Sequence, residues 1–234
     1  MNRLLSRRTP RARHGIAPTD QRVAVIGLGR FGSSLATELV RHGWDVLGID
    51  TDVLRVQRMS EELTHAVVAD CSEPEAVEQL ALHEYTRVVV AIGNSIEASV
   101  LVTSNLADLG CRTIWAKGTS RRHGQILERV GAHHVVLPEH EMGERVAHLV
   151  TGRMLDFFRL DQDFALVKTS APAITRGVPL GESKLRTLLG VTVVAVKKSG
   201  GEFAHASADT VVDPGDILIV TGRTDAVDSF SNLP

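Results

Sequence analysis

From Arg22 onward, short aliphatic runs alternate with longer amphipathic stretches. The runs are Val23–Ile26, Asp45–Ile49, Ala66–Val68, Val88–Ile92, Thr113–Ala116 and Val135–Leu137. Each is short and rich in β-branched residues, the pattern of strands buried on both faces of a parallel sheet. Between them lie helical patterns. Ser33–Arg41 reads as a helix stopped at Gly43. Asn94 and Ser95 can cap a helix ending near Gly110, and Ser120 one ending near Gly131. Strand alternating with helix predicts an α/β fold, a Rossmann-like doubly wound parallel sheet.

The pattern then changes. Glu139–Leu160 reads as one long crossover helix carrying Met142, Val146, Leu149 and Val150 on one face, with a possible bend at Gly152. Beyond it, Phe164–Val167 reads as a strand, Ser183–Leu189 as a short helix and Val191–Lys197 as a strong strand. Ser199-Gly200-Gly201 suits a hairpin turn, and Asp213–Asp216 a tight turn before the strand Ile217–Thr221. This is a small α+β C-terminal subdomain. The expected organisation is an arm over 1–20, a Rossmann domain over 21–138, the helix and linker over 139–160, and the subdomain over 161–234.

Composition narrows the class. The 234 residues are 43 % hydrophobic but only 4 % aromatic, so Val, Ile, Leu and Ala must build the core. With 28 acids against 26 Lys and Arg, the net charge is −2 and no broadly basic nucleic-acid surface is indicated. No apolar run nears the roughly 18 residues needed to span a bilayer. The two cysteines, Cys71 and Cys111, lack CxxC spacing and suit a reducing compartment, so the chain is expected to be cytoplasmic. Met1–Asp20 differs: five arginines precede its only acid, Asp20, and Pro10 and Pro18 interrupt any helix. It reads as a disordered basic tail, or as an arm touching a membrane surface or acidic partner.

The central chemical signal is Gly27-Leu28-Gly29-Arg30-Phe31-Gly32, between a strand and a helix. In such a loop the first glycine permits the tight turn. The second lets a pyrophosphate approach, and the third lets the helix pack closely on the sheet. Phosphates then sit at the helix N-terminus. Asp50, about twenty residues on at the end of the second strand, is placed to accept from ribose hydroxyls and argues against a 2′-phosphate. NAD, ATP, ADP and AMP all fit. Arg30 can reach a terminal phosphate, although it also reads as a solvated surface charge. Asp70 and Cys71, Ile92-Gly93 and Lys117 close the other strands at their carboxyl ends, where ligands bind in such sheets. Gly93 could admit adenine or ribose, and Lys117 a phosphate.

An NAD-dependent oxidoreductase is the rival reading. It would need a polar substrate cleft with an acid/base group. The C-terminal part is small and holds only His205, and no HExxH, GxSxG or Walker A pattern occurs. The expectation is a non-enzyme.

The segment VIGLGRFG, Val25–Gly32, resembles the opening of RCK domains (regulators of potassium conductance, also called TrkA-N). It is especially similar to regulatory subunits of Ktr and Trk potassium-uptake systems. Thr64–Val67, Val90–Gly93, Ile114–Lys117 and Pro138–Gly143 match in order. Phe164–Phe230 resembles the C-terminal RCK subdomain, through Leu185-Arg186 to Val196 and Asp213–Gly222. The resemblance implies a cytosolic homodimer assembling into an octameric gating ring under a membrane potassium-translocating subunit. It implies ATP/ADP control, or NAD(H) in Trk-type members. By the same resemblance Gly27, Gly29 and Gly32 form the phosphate loop, beside Phe31. Arg30 meets a terminal phosphate, Asp50 the ribose, Asp70 and Cys71 the adenine, and Lys117 the phosphates. Glu139 helps bind a cation, Mg or Ca, between nucleotides, although the residue alone reads as an acid favoured at a helix N-terminus. Arg186 matches a basic residue used for cyclic di-AMP, while Lys184 departs from that pattern. A sensor serving another partner, such as an antiporter, would share fold and ligand.

Overall fold

The computed structural model describes residues 21–151 and 154–234, in two compact units divided between Pro138 and Glu139. The Arg-rich arm and the expected bend at Gly152 lie outside the described residues.

The first unit is built on six parallel strands: β1 (Arg22–Ile26), β2 (Asp45–Asp50), β3 (His65–Val68), β4 (Arg87–Val90), β5 (Ile114–Lys117) and β6 (His134–Val136). Their order is β3-β2-β1-β4-β5-β6, so the chain reverses direction across the sheet between β1 and β4. Alternation along the strands feeds two cores. Ala24, Ile26, Leu47, Ile49, Val88 and Val90 face one side with Val77, Val102, Leu106 and Leu127. Val23, Val25, Val46 and Val89 face the other, with Ala36, Val56 and Met59. Truncating Leu106 or Ile49, both fully buried, to alanine would cost about 2–5 kcal/mol through lost burial and the cavity left behind.

The helices are α1 (Arg30–Arg41), α2 (Val53–Met59), α3 (Pro74–Gln79), α4 (Ile96–Asp108) and α5 (Arg121–Arg129). Ser95 and Ser120 cap α4 and α5 as expected, accepting from Ala98 and His123 N–H. Strand ends come early: β3 stops at Val68 and β4 at Val90. Asp70, Cys71, Ile92 and Gly93 therefore stand in loops just beyond the sheet. Ala91 N–H still reaches Ile26 O at 2.7 Å, which ties the loop after β4 to β1.

The second unit corrects one expectation. Glu139–Leu160 is not a single helix: α6 spans Pro138–Thr151, and Met154–Asp161 is strand β7. β7 pairs antiparallel with β8 (Phe164–Ser170), which buries Met154 and Phe157. Pairing with β8, with a register shift between Met154 and Asp156, sets the buried positions three residues apart. Around this junction Arg145 donates twice to Asp156 at 2.8 Å, and His148 stacks on Phe157 with ring centroids 3.9 Å apart. The sheet order is β10-β9-β11-β8-β7, with β9 (Val191–Lys197), β10 (Phe203–His205) and β11 (Ile217–Arg223). Short α7 (Leu185–Leu189) and C-terminal α8 (Thr224–Ser231), which buries Val227 and Phe230, complete it. The hairpin at Ser199–Gly201 and the turn before β11 fall where expected. Buried Asp216 locks them, accepting from Ser199 and Asp213 N–H and from Lys198 Nζ at 2.8 Å.

Candidate functional site

The crevice between β1 and β4 is the topological switch point, the place where open α/β sheets take ligands. Its floor is the glycine loop. Gly27 has φ +98°, a conformation unfavourable for side-chain-bearing residues, and its N–H donates to Ile49 O at 2.7 Å. Gly32 is held by contact: a Cβ there would lie 1.8 Å from Gly27 O. Gly29 is different. Its φ of −69° suits any residue, and a Cβ would meet no atom within 4 Å. Nothing in the chain itself demands glycine at position 29. The space it leaves open lies at the first turn of α1.

That turn combines two features that α2 to α5 do not combine: α3 also lacks a side-chain cap but has Glu75 in its first turn. α2, α4 and α5 are each capped by their own side chain, Asp52, Ser95 and Ser120. α1 has no side-chain cap at Gly29 and no acid in its first turn. Its N–H groups and dipole therefore present a positive end suited to an anion. Arg30, the first helical residue, is exposed.

Three other elements bring residues to this edge. Lys117 closes β5 and is buried, 8 % exposed, with Nζ 5.5 Å from the centre of the Phe31 ring. A Cβ at Gly93 would lie 3.2 Å from that Nζ. Phe31, Gly93 and Lys117 are thus brought together, and Phe31 supports the lysine by a cation–π contact. The loop after β5 is fixed by His123 in α5. Its Nδ1 accepts from Thr119 N–H at 3.2 Å, and burial pushes the imidazole below its ordinary pKa. Asp50, 6 % exposed, accepts from Leu28 N–H of the glycine loop at 2.7 Å and from Asp52 N–H at 2.9 Å. Arg55 of α2, a residue the sequence reading did not single out, ion-pairs with it at 3.4 Å.

Beyond β3, Asp70 is exposed and accepts from Ser72 N–H at 3.0 Å. Cys71 differs from the expectation. Its side chain is buried in the core at 2 % exposure, and burial, then the Asp70 charge, pushes its thiol up to about 12. It faces this edge only through main chain, its carbonyl accepting from Asn105 Nδ2. Cys111 is likewise buried, its thiol at about 11. Neither is a nucleophile at neutral pH.

The remaining expected residues lie in the second unit. Glu139 is exposed in the first turn of α6. Arg186 is exposed on α7, its Nε donating to Thr192 Oγ1 at 3.2 Å, and neighbouring Lys184 has φ +52°. Among the described residues no three His, Cys, Asp or Glu are grouped to hold a metal ion. No described helix is long and apolar enough to cross a membrane.

Known proteins are similar to this chain across both units. Residues 23–138 match the TrkA-N domain and residues 165–234 the TrkA-C domain. The Ktr system potassium uptake protein C of Bacillus subtilis (strain 168) is 35 % identical over 208 residues, covering 88 % of this chain and 94 % of the relative. The Ktr system potassium uptake protein A of Vibrio alginolyticus is 33 % identical over 207 residues, with 88 % and 94 % covered. Among solved structures the GsuK RCK domain superposes with a TM-score of 0.64 at 15 % identity. It covers 99 % of this chain, which spans 51 % of that one. At that identity the likeness speaks for the fold alone.

Proposed function

Because the chain belongs to the family built from a TrkA-N and a TrkA-C domain, we propose that it is the nucleotide-controlled regulatory subunit of a potassium-uptake system. In this reading it is cytosolic, acts without catalysis of its own, and docks on a membrane potassium-translocating subunit as a homo-oligomeric ring. One observation carries the nucleotide reading. Gly29 is required neither by its backbone angles nor by any neighbouring atom, yet it opens space at an uncapped helix N-terminus. A phosphate group accounts for both features. The relatives' names as potassium uptake proteins support the ion.

The ligand favoured is ATP or ADP. Gly27, Gly29 and Gly32 would cradle the phosphates, Arg30 would answer a terminal phosphate, and Lys117 on Phe31 would add fixed positive charge. Asp50 would accept from the ribose. The Ile92-Gly93 loop, Asp70 and the main chain of Cys71 would border the base. Glu139 would join Mg or Ca beside the phosphates of two subunits, the other oxygens coming from ligand and partner copy. Arg186 would serve a second ligand, cyclic di-AMP.

The control is differential affinity. ATP shifts the ring only as far as it binds one shape better than ADP does. The third phosphate adds charge, and Arg30 is an exposed cation within the loop itself. Potassium-uptake-deficient cells expressing this chain with the translocating subunit of the same genome test the proposal. Uptake should depend on the chain and fall with Gly29→Ala. Uptake indifferent to the chain's presence would overturn it.

A further inference from the structure

Asp50, the ribose acid of the proposed site, has few acceptor positions left. A carboxylate offers about four lone-pair sites, two on each oxygen. Oδ2 accepts from Leu28 N–H at 2.7 Å and meets Arg55 Nη1 at 3.4 Å. Oδ1 accepts from Asp52 N–H at 2.9 Å. Among the described residues that fills both sites on Oδ2 and leaves one on Oδ1.

The three donors are not alike. Leu28 and Asp52 N–H are main chain, set by the glycine loop and the start of α2. Arg55 is a side chain 38 % exposed, in the first turn of α2. It is held from its other side by Asp52, whose Oδ2 lies 3.4 Å from Arg55 Nε while Oδ1 caps the helix. A guanidinium therefore bridges two carboxylates at the corner where ribose hydroxyls would arrive. The geometry also revises the expectation drawn from Asp50 alone. A group on the ribose meets an acid with a cation beside it, not a lone anion.

We infer that Arg55 is a specificity-determining residue, which by occupying Oδ2 limits Asp50 to reading one ribose hydroxyl of an adenine nucleotide. The inference rests on the nucleotide reading above. Without Arg55 the second oxygen regains an acceptor site, and the carboxylate can take both hydroxyls.

Calorimetry on the full chain with ATP, 2′-deoxyATP and 3′-deoxyATP tests it. A hydrogen bond to a charged acceptor is worth about tenfold or more in affinity. In the wild type one deoxynucleotide should therefore bind about tenfold more weakly than ATP, and the other within about twofold. In Arg55→Met both should lose about tenfold relative to ATP. Arg55→Ala, a second variant should the first misfold, should behave the same way. Equal dependence on both hydroxyls in the wild type, or on neither, would overturn the inference. So would an Arg55→Met pattern identical to wild type. ATP failing to bind the wild-type chain would instead sink the nucleotide reading itself, and this inference with it.

Discussion

Gly29→Ala and Gly32→Ala should separate binding from folding. At Gly29 the new methyl meets no atom within 4 Å and φ is −69°. Alanine is a poorer N-cap than glycine but restricts the unfolded chain, and these opposing effects leave a net change within about 1 kcal/mol. If a phosphate sits at the start of α1, the methyl takes space that the phosphate needs. Losing two charge-assisted hydrogen bonds to phosphate, each worth about 1.5–3 kcal/mol, predicts at least a hundredfold weaker nucleotide binding. At Gly32 the Cβ would lie 1.8 Å from Gly27 O, where real Cβ atoms essentially never approach within 3.0 Å. The loop and helix must part by about 1.2 Å, and overpacking of that kind costs about 1–3 kcal/mol or more. Gly32→Ala should therefore lose both stability and binding, whereas Gly29→Ala should lose binding alone. Thermal melts and ATP calorimetry on the two variants read this. A stable Gly29→Ala that binds within about threefold of wild type would refute the argument from the open space.

Other outcomes follow from the same structure. Arg30→Ala should weaken ATP more than ADP in calorimetry; equal losses would remove Arg30 from terminal-phosphate recognition. Lys198→Met should destabilise the second unit by about 1–3 kcal/mol in denaturant melts, because it leaves the buried Asp216 carboxylate without its cation. Burial pushes the Asp216 carboxyl up, but the Lys198 bond and the Asp213 and Ser199 amides outweigh it and hold it below its ordinary value. That stability should be complete above about pH 4 and drain away as pH falls further; a melt flat through this range would contradict it. His123 is buried with a lowered pKa, so below about pH 6.5 the unfolded chain takes up a proton the folded chain resists. Stability should fall between pH 7 and 5, less steeply in His123→Asn, and identical slopes would exclude His123 as a source.

The residues brought to the crevice show what the sequence could and could not reveal. The six strands were legible because each is a short aliphatic run, the inner four buried and the edge strands β3 and β6 only partly so, and Ser95 and Ser120 announced the helices they cap. The glycine loop and Asp50 were legible because their spacing is local. Phe31 under Lys117 was not, since that contact exists only once β1 and β5 lie in one sheet. Arg55 was missed although Asp52, a good N-cap before Val53-Leu54-Arg55, signalled a short helix there. The helix drawn through Leu160 failed for a nonlocal reason. Met154 and Phe157, three residues apart, fit a helical stripe, and only pairing with β8, with a register shift between them, makes the segment a strand. Cys71 stands beside the site in sequence, but its side chain turns into the core.

The account's central claim is that the β1/β4 crevice takes an adenine nucleotide as a regulatory ligand. Its most direct test is calorimetric titration of the wild-type chain with ATP, ADP and NADH, with and without magnesium or calcium. The prediction is tight binding of ATP and ADP, weak binding of NADH, and a cation effect specific to ATP. No binding of any of the three, or strong NADH with weak ATP, would contradict it.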